Sequence, residues 1–239
     1  MKERSNAVLF VHGIQGSPGQ FQFLIEALPA GVEVRNLLLP GHGGSARDFR
    51  SSDRAAWLAA VGGEAKRLLE QGRRVIYVGH SMGCLLGLAI SRELGDPFAG
   101  MLLLCCPFRI RPTVRYLSNN LRAMRPERPG EPSRVSAARA ANSVRVRHPA
   151  EHLTLLHPYA ELLRLVGETR RAGPVGPEGI RFYFSEADEI VSPRSRGEAA
   201  RYPASDVRIL PGCGHNDFTE PAKQTLQLAL QHMTAEVRL

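Results

Sequence analysis

Ser81 stands in "YVGHSMGC" (77–84), between Gly79 and Gly83, directly after an apolar run and before a helix-forming stretch. A serine attacks a carbonyl only if its Oγ protrudes, a base takes its proton and hydrogen-bond donors meet the oxyanion. A sharp strand-to-helix turn answers two of these needs. It pushes the serine outward, and the first helical N–H, that of Met82, faces the developing charge. The competing reading is a small residue in a tight turn. Downstream, "FYFSEADEIVSP" offers three carboxylates, Glu186, Asp188 and Glu189, and "LPGCGHND" places His215 in a glycine-rich loop. These are the residue types of a nucleophile, an orienting acid and a base.

Other candidate groups read as structural. His80 adjoins Ser81, and its side chain is expected to point away from the site. His148, His152 and His157 are spaced as metal ligands can be, but no carboxylate or cysteine cluster accompanies them, so they read as lid or surface residues and no metal is expected. Gly83 and Gly87, four apart, suggest close packing of a helix on the sheet. Cys213, two residues from His215, reads as a bystander.

The elements that must position these groups alternate. "AVLFV" (7–11), "VEVRNLLL" (32–39), "RVIYVG" (74–79), "AGMLLLC" (99–105), "IRFYFS" (180–185) and "VRILP" (207–211) read as strands. Between them, 20–28, 53–72, 82–94, 193–202 (capped by Ser192) and 221–233 read as helices. Such alternation predicts a mostly parallel sheet flanked by helices. The stretch 108–176 breaks the pattern, with helix candidates at 113–124, 133–146 and 158–171 and no strand. It reads as a helical, arginine-rich lid inserted after the strand near 99–105, dividing a core of 1–107 and 177–239.

Charge follows the same division. The net charge is +8, and from Phe108 to Gly176 there are 13 basic residues, all arginine, against 5 acidic ones, while the rest of the chain carries 18 of each sign. A positive rim on the lid suits an anionic substrate, an acidic carrier protein or a membrane surface, with solvated helix faces as the plainer reading. Nucleic acid is not expected, because only Phe108, Tyr116 and Tyr159 provide aromatic faces there. The longest apolar run, "AGMLLLCC" (99–106), is too short to cross a bilayer. The start, "MKERSNAVLFVHG", lacks the apolar stretch of a secretory signal, so the mature chain is expected to begin here. Cys84, Cys105, Cys106 and Cys213 form no CxxC pair, which favours reduced thiols and a cytoplasmic protein.

Taken in order, "HGIQGSPGQF", "LLPGHGGS", "GHSMG", "EADEIVSP" and "GCGH" resemble the α/β-hydrolase superfamily, and within it the small capped carboxylesterase and monoacylglycerol-lipase-like branch. The resemblance spans nearly the whole chain and implies an α/β-hydrolase fold with no cofactor. It implies Ser81 as nucleophile, Asp188 as the acid, with Glu186 the alternative, and His215 as the base. It implies an oxyanion hole from the backbone N–H groups of Ile14 and Met82, and makes His12 and His42 loop-holding residues. The implied activity is hydrolysis of small to medium acyl esters or monoacylglycerols through an acyl-enzyme. Thioester hydrolysis, cofactor-free elimination or C–C cleavage on a carboxylate-bearing substrate, and a non-catalytic ligand-binding role stay open.

Overall fold

Side chains alternate faces along a strand, so strands buried on both sides read as continuous apolar runs. The computed structural model describes residues 6–123, 127–146, 151, 153, 155–174 and 176–236. Its strands are β1 (Asn6–Val11), β2 (Glu33–Leu37), β3 (Arg74–His80), β4 (Gly100–Leu104), β5 (Arg181–Ser185) and β6 (Asp206–Leu210). They form one sheet, ordered β2-β1-β3-β4-β5-β6, and every neighbouring pair is parallel. Leu9, Val11, Tyr77 and Leu103 face one apolar core, and Val8, Phe10, Val78 and Leu102 face the other.

The first core is covered by α3 (Arg54–Glu70), α4 (Met82–Glu93), α7 (Leu156–Ala172) and the short α8 (Ser195–Ala199). Helix α3 starts where the Asp53 side chain accepts the Ala56 N–H at 2.8 Å, a cap worth about 1 kcal/mol. It buries Trp57, Val61, Ala65 and Leu68 at helical spacing. The second core is covered by α1 (Gln22–Ile25) and α9 (Glu220–Glu236), the latter burying Leu226 and Leu230. Among the described residues no helix is long and apolar enough to cross a membrane.

Within the basic segment, α5 (Val114–Ala123) and α6 (Ser133–Ala141) pack on each other, and α7 packs on α2 (Ala46–Arg50), α3 and α4. Leu162, Leu165 and Val166 of α7 join the first core, and Arg54 Nη1 meets Glu161 Oε2 at 2.6 Å. That face of α7 therefore packs onto the body, while Leu156 and Leu163 stay exposed. The chain just after α6 is held by the body too: Ser143 N donates to the Gln15 carbonyl at 2.7 Å and Arg145 N to that of Gly44 at 3.0 Å. His148 and His152 lie outside the described residues, and His157 is exposed at the start of α7.

Three local readings change. The helix expected over 20–28 is a 3-10 turn, Pro18–Phe21, followed by the single turn of α1. Helix α8 begins at Ser195, two residues later than expected, while Ser192 Oγ still accepts the Arg194 N–H at 3.4 Å in the turn before it. Helix α2 stands where the sequence pattern predicts none, although Ser45 and Asp48 form a reciprocal capping box, because five residues are too few to show a helical period.

The parallel register brings the carboxyl ends of the strands to one edge. From β1 the chain goes to β2 on one side, then crosses back to β3 on the other. The winding reverses between β1 and β3, where the loops part and leave a crevice. Ile14 follows β1, Ser81 follows β3, and the stretches carrying Asp188 and His215 follow β5 and β6.

Candidate active site

Ser81 occupies the turn between β3 and α4 with φ 52° and ψ −120°, outside the regions ordinary side chains prefer. A residue so held costs of order 1–3 kcal/mol and persists only where its surroundings fix it. Here Ser81 N donates to the Leu104 carbonyl at 2.9 Å and the Ser81 carbonyl accepts from Cys84 N at 2.9 Å. Its Oγ lies 3.1 Å from His215 Nε2. His215 Nδ1 lies 2.9 Å from Asp188 Oδ2, and Asp188 Oδ1 accepts the N–H groups of Ile190 and Val191, both at 2.8 Å.

One carboxylate oxygen thus anchors the acid to its own backbone and the other faces the imidazole. Burial would raise the Asp188 pKa, but His215 and the hydrogen bonds outweigh it and hold the carboxyl below its usual range. Burial likewise works to lower the His215 pKa, while Asp188 and Glu189 outweigh it and the net direction is upward. An ionised Asp188 accepts the Nδ1–H, which leaves Nε2 as the acceptor facing Ser81.

All three carboxylates of "EADE" fasten the loop that carries His215. Glu186 Oε2 accepts Gly212 N at 2.9 Å, Asp188 takes the imidazole, and Glu189 Oε2 accepts the backbone N–H of His215 at 3.0 Å. Glu186, the alternative acid, is engaged with the backbone, away from the imidazole. His80 does not point away as the sequence led us to expect. Its ring centroid is 4.9 Å from that of His215, and Nε2–H donates to the His215 carbonyl at 2.9 Å. Burial lowers its pKa to about 3, so it is neutral and acts as a prop.

The loop after β1 is held by His12 and His42. His12 Nδ1–H donates to the Gly13 carbonyl at 2.8 Å and its Nε2 accepts Leu39 N at 3.1 Å. His42 Nε2 accepts Gln15 N at 3.1 Å. Both imidazoles must be neutral to accept there, and burial lowers them to about 3 and about 4. Ile14 sits between these anchored neighbours, and Met82 opens α4, so its N–H is one of the four that a helix leaves unsatisfied.

A small cavity of about 50 Å³ above Ser81 is lined by Ile14, Tyr116, Tyr159, Ile190 and His215 among others. It adjoins a cavity of about 240 Å³ lined by Phe21, Phe23, Leu104, Phe218 and the alanines 137, 140 and 141. Gln20 and Asn216 line both, and Gln20 Nε2 donates to Asn216 Oδ1 at 3.3 Å across their junction. A groove of about 750 Å³ lies at the opposite, amino ends of the strands and contains none of these residues. Among the described residues no arginine lines the cavity at Ser81. Among the described residues, five arginines of the basic segment, Arg109, Arg134, Arg139, Arg164 and Arg170, pair with carboxylates of this chain.

His80, Cys105 and His215 bring a nitrogen or sulfur each within 4.8 Å of one another, the one such group among the described residues. Both His215 nitrogens already face Asp188 and Ser81, and burial pushes the Cys105 thiol up, so the group serves the imidazole rather than an ion.

Glu189 and His80 escaped the sequence reading because their partners lie 26 and 135 residues away and are backbone groups, which leave no pattern in side-chain type.

Solved structures resemble this fold at low identity. A monoacylglycerol lipase from Paleococcus ferrophilus is 16% identical with TM-score 0.69, the match covering 97% of this chain and 96% of that one. A soluble variant of monoglyceride lipase from Saccharomyces cerevisiae is 13% identical with TM-score 0.71, covering 99% and 88%. The N-acyl homoserine lactonase AidH is 14% identical with TM-score 0.66, covering 99% and 91%. At such identities the likeness is one of fold. Among curated proteins none matches the sequence. The model of the alpha/beta hydrolase family matches residues 8–228, from within β1 into α9, and the chain belongs to that family.

Proposed function

We propose that this protein is a cofactor-free serine hydrolase that cleaves carboxylic esters through an acyl-enzyme intermediate. The observation that carries the reading is the continuous chain from Ser81 Oγ through the His215 imidazole to Asp188, buried at the carboxyl edge of the sheet. Ser81 Oγ attacks the carbonyl carbon as His215 Nε2 takes its proton, and Asp188 stabilises the imidazolium without itself becoming protonated. The N–H groups of Ile14 and Met82 hold the oxyanion. Collapse expels the alcohol, which takes the proton back from His215. Water, deprotonated by the same nitrogen, then attacks the acyl carbon and releases Ser81.

The apolar lining of the 240 Å³ cavity beside the serine supports a small or medium acyl chain, including that of a monoacylglycerol. We assign α5 and α6 as the cap over this entrance. The four cysteines are free and buried, in keeping with a reducing compartment such as the cytoplasm. Among the described residues no cap arginine lines the serine cavity itself, and Arg134, which lines the adjoining space beside His215, is paired with Glu189, so a substrate carboxylate clamped by cap arginines receives no support.

The test is turnover of p-nitrophenyl esters from two to sixteen carbons, run beside Ser81→Ala and a fluorophosphonate label. The wild type is expected to prefer short to medium chains and to be labelled, and Ser81→Ala to lose labelling and roughly 10⁴-fold or more of kcat. A folded wild type that neither labels nor turns over any ester would sink the reading.

A further inference from the structure

The cap is fastened to the loop that carries His215 by the first two residues of α6. Ser133 Oγ donates to Asp217 Oδ2 at 2.7 Å, Arg134 Nη2 to the Gly212 carbonyl at 3.4 Å, and Arg134 Nη1 reaches Glu189 Oε1 at 3.5 Å. The other oxygen of Glu189 accepts the backbone N–H of His215 at 3.0 Å. The Glu189 side chain is 9% exposed and that of Arg134 22%, so the carboxylate lies enclosed between the cap guanidinium and the histidine. The packing is close: a Cβ added at Gly214 would sit 3.2 Å from Glu189 Oε2 and 3.4 Å from Arg134 Nε. The Glu189 carbonyl also accepts Thr113 N at 2.9 Å, on the strap that enters α5.

We infer that Glu189 is a positioning residue for His215 and that Arg134 moderates it, so that docking of the cap sets the readiness of the base. This rests on the reading of His215 given above.

The charges around His215 decide the signs. Asp188 faces Nδ1, Glu189 faces the backbone N–H, and Arg134 stands beyond Glu189. The rings and thiols nearby, His80 and Cys105, are neutral, since burial lowers the first and raises the second. Asp217, two residues along the loop, is engaged by Ser133. Negative charge on Glu189 favours the imidazolium and contributes to the upward direction of His215. Arg134 offsets part of that charge, so lifting α6 away would leave Glu189 uncompensated and the imidazole harder to deprotonate. The same movement would release Gly212 and Asp217, loosening the loop that aims Nε2 at Ser81.

The experiment is the acid limb of kcat/KM against pH for wild type, Glu189→Gln, Arg134→Gln and the double variant. A glutamine at 189 keeps an acceptor for the His215 N–H but removes the charge. Glu189→Gln is expected to shift the limb downward and Arg134→Gln upward, each by roughly half a pH unit. The Arg134 effect should vanish in the Glu189→Gln background. A purely structural role predicts lower activity without opposed shifts. An unmoved limb in Glu189→Gln, shifts of the same sign, or an Arg134 effect that persists without Glu189 would each overturn the inference. If Glu189→Gln fails to fold, Arg134→Gln at its partly exposed site carries the test alone, and an unmoved limb there is equally fatal. NMR titration of His215 in the Ser81→Ala background reads the same shifts without turnover, so failure of the esterase reading and failure of this one are separable.

Discussion

The two oxygens of Asp188 divide their work. Its Oδ1 is spent on Ile190 and Val191, which leaves Oδ2 alone to orient His215. Asp188→Asn keeps the shape and removes the charge. The amide presents either a donor to Nδ1 or an uncharged acceptor, so the correct tautomer is less favoured and the imidazolium loses its support. We expect kcat to fall roughly 10⁴-fold with KM little changed. Asp188 holds His215 above its ordinary range, so the acid limb of whatever activity survives should move to lower pH. A pH profile of kcat/KM checks both, and an unmoved limb would remove Asp188 from its role. The acid we propose was legible only in part: three carboxylates stand in four residues, and a family likeness was needed to separate Asp188 from its neighbours. The work of the other two, on Gly212 N and His215 N, was hidden because it is directed at main chain brought near by β6.

At the scale of the element, the site depends on how deeply α4 seats against the sheet. Gly83 and Gly87 permit that approach, as their spacing suggested, and the contacts are severe. A Cβ at Gly83 would lie 2.0 Å from the Val11 carbonyl oxygen, and one at Gly87 would lie 2.2 Å from the Tyr77 ring. The first obstacle is backbone in the middle of the sheet, and Tyr77 is pinned by its hydroxyl on the Gly83 carbonyl at 2.6 Å, so neither yields cheaply. Gly83→Ala must lift the first turn of α4, carrying Met82 N–H and Ser81 with it. A loss of about 3 kcal/mol or more is expected, with activity falling further than stability. Gly63, on the exposed side of α3 with open space around its Cβ position, provides the contrast. Gly63→Ala should raise stability by up to about 1 kcal/mol and leave turnover alone. Thermal unfolding of the pair beside esterase assays tests this, and equal effects would discredit the packing argument. Long periodic elements such as α3 and α4 were readable from sequence because one face repeats over several turns. The single turns near Phe21 and Ala46 were not, because their conformation is set by the loops they close.

Across the whole molecule, the carboxyl edge of the sheet is built on imidazoles that must stay uncharged. His12, His42 and His80 accept or donate within the loops that shape the site, and burial lowers them to about 3, 4 and 3. In the unfolded chain each returns to about 6.5. As pH falls below that value the unfolded state takes up protons the folded state refuses, so stability declines with acid until the folded values are reached. Three such groups give a slope of about 4 kcal/mol per pH unit at its steepest, at about 1.4 for each. His215 works in the opposite sense. Its folded pKa is raised, so its contribution is full below the unfolded value and fades as pH rises through the folded one. Together these place the stability maximum close to neutrality and make the acid side the steep one. Urea unfolding from pH 7.5 down to pH 4.5 should show midpoints dropping sharply below about 6.5 with the m-value unchanged. A replacement of His42 by glutamine, which keeps a side-chain hydrogen-bonding group near Gln15 N without a titrating ring, should flatten the slope by about one third. A flat wild-type curve from pH 7 to pH 5 would mean that these imidazoles take protons in the folded state, and the loops around Ser81 would then need another account of what holds them.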